Sequence, residues 1–123
     1  MKVLLSIKPE YAEKILNGKK KFEFRKVIPK AGAKTVLLYA TKPIGKVVGE
    51  FEVDSFLSEK PNKLWDLTSS FSGISECFFY KYFEGYETAH AFKISKVYRY
   101  KEPVDIKTVL ASGVIPQSFC YLK

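Results

Sequence analysis

Two cysteines, one histidine and one tryptophan are all that the 123 residues contain of these side chains. Cys77 and Cys120 lie far apart and have no metal-ligand spacing, and His90 alone cannot complete a zinc set. The cysteines read as free thiols of a reducing, cytoplasmic setting. No apolar run nears the ~18 residues of a membrane helix, so a membrane partner is not expected. The apolar stretch at Met1–Lys8 is too short for a leader and has no small-residue cleavage site after it, so it reads as a strand. The seven glycines are scattered and form neither a phosphate loop nor a dinucleotide fingerprint. No Gly-x-Ser-x-Gly surrounds Ser118, which argues against a serine hydrolase. Repeats, low-complexity tracts and Pro/Gly/Ser linkers are all missing. Residues 1–123 therefore read as one domain, with no cofactor or metal implied and a monomer as the default.

What is present is positive charge and aromatic side chains. The net charge is +8. Seven basic residues fall between Lys14 and Lys30, namely Lys14, Lys19, Lys20, Lys21, Arg25, Lys26 and Lys30, against the single acid Glu23. The remainder holds fourteen basic residues and twelve acids. Such an excess sets up a field that draws in polyanions. A solubilising surface is the plainer alternative.

The chain order follows from hydrophobic periodicity. Lys2–Ile7 reads as a strand. Pro9 suits a first helical turn, and Glu10–Leu16 follows as a short helix with Tyr11, Ala12 and Ile15 on one face. Asn17-Gly18 ends it. Lys21–Val27 alternates Phe22 and Phe24 with Lys21, Glu23 and Arg25, which predicts a strand with one buried and one charged face. Residues 29–33 read as a turn. Lys34–Thr41 is apolar enough to be a strand buried on both faces. Pro43 and Gly45 mark a turn, and Lys46–Phe56 is a long strand. The segment from Pro61 to Phe83 reads as two short helices. Thr88–Tyr100 is the last long strand, ended by Pro103. Val104–Ala111 is a short helix ended by Gly113, and the aromatic tail packs back on the body. This is a β-rich α+β domain of five or six strands with three or four short helices; a closed or nearly closed barrel would remove exposed strand edges.

Gly18, Lys20, Glu23 and Arg25 carry a resemblance. Their spacing is similar to the signature of the ASCH family, within the PUA-like superfamily. Ser6-Ile7-Lys8-Pro9, Tyr39-Ala40-Thr41-Lys42-Pro43, Val47-Val48-Gly49-Glu50 and Pro116-Gln117-Ser118-Phe119 resemble it as well. The resemblance implies a PUA-like pseudobarrel with a cleft beside the signature. It implies RNA or single-stranded nucleic acid as the partner, or a nucleoside-like small molecule. Some members resemble amidohydrolases of an acylated cytidine, and others are proposed to cut RNA. The amidohydrolase pattern has threonine where this chain has Glu23; Glu76 is the candidate for its downstream glutamate.

The residues themselves support a narrower reading. Glu23 and Arg25, two apart on a strand, leave the same face and can pair or offer acceptor and donor edges to a base. Lys20 breaks the two-residue rhythm and joins them only if the strand begins after it or bulges. Lys21 is the neighbour that strict alternation selects. If the chain is an enzyme, Lys20 and Glu23 are the catalytic candidates, a base and its partner. The binding candidates are Ser6, Lys8, Lys20, Glu23, Arg25, Tyr39 and Thr41. Tyr39 and Thr41, two apart, share one face of their strand, and Tyr39 can stack on a base or simply belong to the core. Trp65, Phe78, Phe79 and Tyr82 read as helix packing, and His90 as a hydrogen-bonded inward residue. Three functions stand at this point: a nucleic-acid-binding module, a small hydrolase of acylated nucleosides or RNA, and a protein-docking domain using Leu64–Phe83.

Overall fold

The computed structural model describes residues 1–30 and 32–123. The turn expected at 29–33 therefore includes one position, Ala31, outside the described residues. One mixed sheet of six strands carries the fold: β1 (Lys2–Ile7), β2 (Phe22–Arg25), β3 (Thr35–Ala40), β4 (Lys46–Glu59), β5 (Ala89–Val104) and β6 (Phe119–Leu122). Their order is β2-β5-β4-β3-β1-β6. β1 and β3 run parallel, and the other pairings are antiparallel. Three short helices, α1 (Pro9–Leu16), α2 (Pro61–Thr68) and α3 (Glu76–Tyr82), pack on it.

Each helix has a local cause. Pro9 opens α1, Glu10 lies in its first turn and Lys14 in its last, both favourable to the helix dipole. Ala12, Ile15 and Leu16 are its buried face. Gly18, at φ +83°, turns the chain out of it. α3 begins at Ser75, whose hydroxyl accepts from the Phe78 N–H. The main core lies between α1 and the sheet, with Val3, Leu5, Ile7, Val36, Leu38, Phe51 and Phe92 at its centre. A second cluster, with Phe24, Leu64, Phe79 and Phe83, anchors α2 and α3 beside β2 and β5.

The structure corrects the sequence reading in four places. β2 is only Phe22–Arg25, and its charged face is not open: Glu23 is 5% exposed. Pro103 does not end β5. Arg99 pairs with Gly49 and Val104 with Val47, so residues 100–103 oppose a single residue and form a bulge that tolerates a missing N–H. The helix expected at Val104–Ala111 is one tight turn, Ile106–Thr108, with the Asp105 carboxylate accepting from the Lys107 N–H. The tail does more than pack back: Phe119–Leu122 is a strand, antiparallel to β1.

β2 and β6 are the two ends of the sheet. Among the described residues they share no hydrogen-bonded pairing, so the curled sheet has an open seam between them.

Candidate functional site

A cleft of about 440 Å³ opens beside that seam. Ser6, Lys8, Lys20, Glu23, Arg25 and Thr41 all line it. Its walls are aromatic or apolar, from Tyr11 on α1, Ile74 before α3, and Phe78 and Tyr82 on α3; Gln117 also lines it.

Lys20 is the most deeply held charge, at 2% exposure. Its ammonium donates to the Ser72 carbonyl at 2.6 Å and lies 3.7 Å from Glu23 Oε1. It also sits 4.9 Å from the centre of the Phe24 ring and 5.6 Å from that of Tyr11. Burial pulls its pKa below the usual lysine value, and the nearby Glu23 carboxylate partly offsets this. Glu23 Oε2 takes the Arg25 guanidinium, with Nε and Nη2 both at 2.9 Å. Arg25 Nη2 donates to the Ser6 carbonyl at 2.7 Å, and Nη1 to Ser118 Oγ at 3.4 Å. Ser6 Oγ in turn donates to the Pro116 carbonyl at 2.6 Å. Arg25 thus reaches from β2 to β1 and to the residues leading into β6, across the seam.

The question of Lys20 or Lys21 is settled by where β2 begins. The strand starts at Phe22, so alternation does not bind the two lysines before it. Backbone bonds from Lys20 N to Lys14 O and from Lys21 N to Phe71 O fix the approach. Lys20 points into the cleft, while Lys21 is exposed and lies 4.4 Å from the Phe71 ring centre.

Tyr39 is not brought to the cleft. It is 4% exposed and packs with Leu4, Leu37, Val47 and Ile106 in a third cluster. The shared face expected for Tyr39 and Thr41 fails because β3 stops at Ala40; Thr41 lies in the turn beyond, its N–H donating to Ile7 O. Glu76 is exposed and does not line the cleft. His90 is half-buried, with Nδ1 2.7 Å from Ser58 Oγ. Phe79 is buried packing, as expected, but Phe78 and Tyr82 are cleft walls. Their rings lie 6.3 Å apart and 16° from parallel. The sequence reading missed this use; their i, i+4 spacing was the available signal. Among the described residues no three His, Cys, Asp or Glu side chains gather to hold a metal ion. No helix is long and apolar enough to cross a membrane.

The ASCH domain model matches residues 5–102, the span that carries Lys20, Glu23 and Arg25. The chain belongs to the ASCH family. This ASCH domain is 32% identical over 127 residues to an ASCH domain-containing ribonuclease of Zymomonas mobilis, covering 98% of this chain and 83% of that one. The crystal structure of ASCH from Zymomonas mobilis aligns with a TM-score of 0.91 at 31% identity, over 99% of this chain and 87% of that one. The curled six-stranded sheet with three helices is thus the PUA-like pseudobarrel of these proteins. Two further matches come from Ureaplasma parvum: ATP synthase subunit alpha, 37% identical, and large ribosomal subunit protein uL22, 33% identical. The chain spans only 15% of the first and 39% of the second.

Proposed function

We propose that this ASCH domain binds single-stranded RNA, one nucleotide of which enters the cleft. The observation that carries the reading is the convergence of Lys20, Glu23 and Arg25 on the floor of an aromatic-walled hollow. Glu23 Oε1 has Lys20 only at 3.7 Å, so it keeps capacity to accept from the amino group of a base. Tyr11, Phe78 and Tyr82 offer ring faces for stacking. Lys8, exposed at the rim, can meet phosphate. The relative from Zymomonas mobilis that bears the name ribonuclease fits an RNA ligand. Fluorescence anisotropy with a labelled single-stranded RNA tests the reading. Affinity is expected to fall linearly on a log–log salt plot, by a slope of about 0.7 per phosphate contact. A flat plot, or no binding at low salt, rejects it.

Cleavage of the bound strand is a second reading, favoured by the lowered pKa of Lys20 and by that same relative. In it Lys20 takes or steers the proton of the attacking hydroxyl, with Glu23 as the partner of Lys20. That oxygen bonds to phosphorus, the bond from phosphorus to the leaving oxygen breaks, and the leaving oxygen is protonated from water. The same mixtures, run on a denaturing gel, decide it: uncut RNA leaves binding alone.

A further inference from the structure

A second hollow of about 490 Å³ adjoins the cleft, and Arg25, Tyr82 and Gln117 line both. Its other walls include Lys26, Tyr86 and Phe119. Nothing in the Lys20, Glu23 and Arg25 arrangement requires it. We propose that it is a second nucleotide subsite, so that the domain grips two successive nucleotides of a single strand; this rests on the reading of the first cleft as a nucleotide site.

The second hollow has less wall than the first, but its volume falls within the roughly 300–1,000 Å³ of a small-ligand pocket. Tyr82 lines both, its ring 16° from parallel with that of Phe78. The Lys26 ammonium lies 4.7 Å from the Tyr82 ring centre and 5.1 Å from that of Tyr86. A cation between two aromatic rings, next to a pocket already walled by rings, is the pattern that tracks a strand: bases on the ring faces, phosphate on the lysine. Lys26 is exposed, so its contact with the rings is weak in water, and it can swing onto a phosphate and free a ring face for a base. Tyr86 is 46% exposed, which leaves its ring open to stacking. Four of the five Arg25 donors go to Glu23, Ser6 and Ser118, so Lys26 is the freer cation for the phosphate.

Neither Lys26 nor Tyr86 belongs to a core cluster, so Lys26→Gln and Tyr86→Ala should leave the fold intact, as circular dichroism would show. Binding is measured for a labelled oligouridylate and, by competition, for uridine monophosphate. Tyr86→Ala is expected to weaken the oligomer about tenfold, the effect of losing one stacked base. Lys26→Gln is expected to reduce the salt slope for the oligomer by about 0.7. Neither should change the affinity for the mononucleotide. If both variants bind the oligomer like the parent while Glu23→Gln, shown by circular dichroism to be folded at the assay temperature, does not, the second subsite is wrong and the first stands. If oligomer and mononucleotide weaken together, the two hollows are one site and the inference fails. If the parent binds neither probe, the reading of the cleft itself falls.

Discussion

Glu23 is the one carboxylate between two cations, Lys20 and Arg25, and all three are withdrawn from water. Removing its charge leaves the buried Lys20 ammonium without a counter-charge, whereas removing Lys20 leaves Glu23 still bound to Arg25. Glu23→Gln is therefore expected to cost about 3–5 kcal/mol in urea unfolding, the range for breaking a buried pair. Lys20→Met, of similar length, should cost less, about 1–3 kcal/mol for the Ser72 carbonyl left without its donor. The two also separate by pH. The Lys20 pKa lies lower in the folded chain than its ordinary 10.5, so between the two values the unfolded chain holds more protons. Stability from this group rises with pH across that window. The gap between the parent and Lys20→Met should widen as pH climbs toward 10.5. Tyr11 and Tyr82, raised by burial, titrate in both proteins and largely cancel. A narrowing gap would contradict the placement of the lysine.

At the scale of elements, the loop between α2 and α3 clamps the lysine. Ser72 accepts from Lys20, and the Gly73 carbonyl accepts from Lys14 Nζ at 3.1 Å. Gly73 has φ +72°, and a methyl group on it would lie 2.7 Å from three carbons of the Lys20 side chain. Gly73→Ala should cost at least the ~1–2 kcal/mol of a left-handed alanine and lower RNA affinity as well. Thermal unfolding and anisotropy read the two effects. The sequence held part of this arrangement. α1 was legible because Pro9, Glu10 and Gly18 punctuate an apolar stripe, and Glu23 with Arg25 because side chains two apart on a strand share a face. The loop was not legible: it meets Lys20 across fifty-two positions, and no local pattern encodes that distance. α3 was half legible. Its apolar residues read as packing, which holds for Phe79 and for part of Tyr82, but Phe78 and Tyr82 also lie one turn apart on the flank that faces the cleft. Tyr39 failed in the opposite direction: a two-residue rule was carried past Ala40, where the strand ends.

For the whole molecule, the β-rich α+β class was readable because apolar alternation recurs between turn residues. β6 was not, since four residues count as a strand only once β1, at the far end of the chain, supplies their partners. That late strand matters to the cleft. With no ladder between β2 and β6 among the described residues, the two ends of the sheet are held near each other by Arg25, Ser6 and the residues around Ser118. On the proposed function, a guest seated there is expected to act as a rivet. Amide deuterium uptake along Phe119–Leu122 is expected to slow when RNA is bound and to quicken in Arg25→Ala, with the centre of β4 unchanged; uniform changes would mean that the rim and the middle of the sheet open as one. Occupancy of the hollow and cohesion of the chain's last strand would then be a single equilibrium, so this protein would report its cargo in how tightly its own C-terminal strand is held.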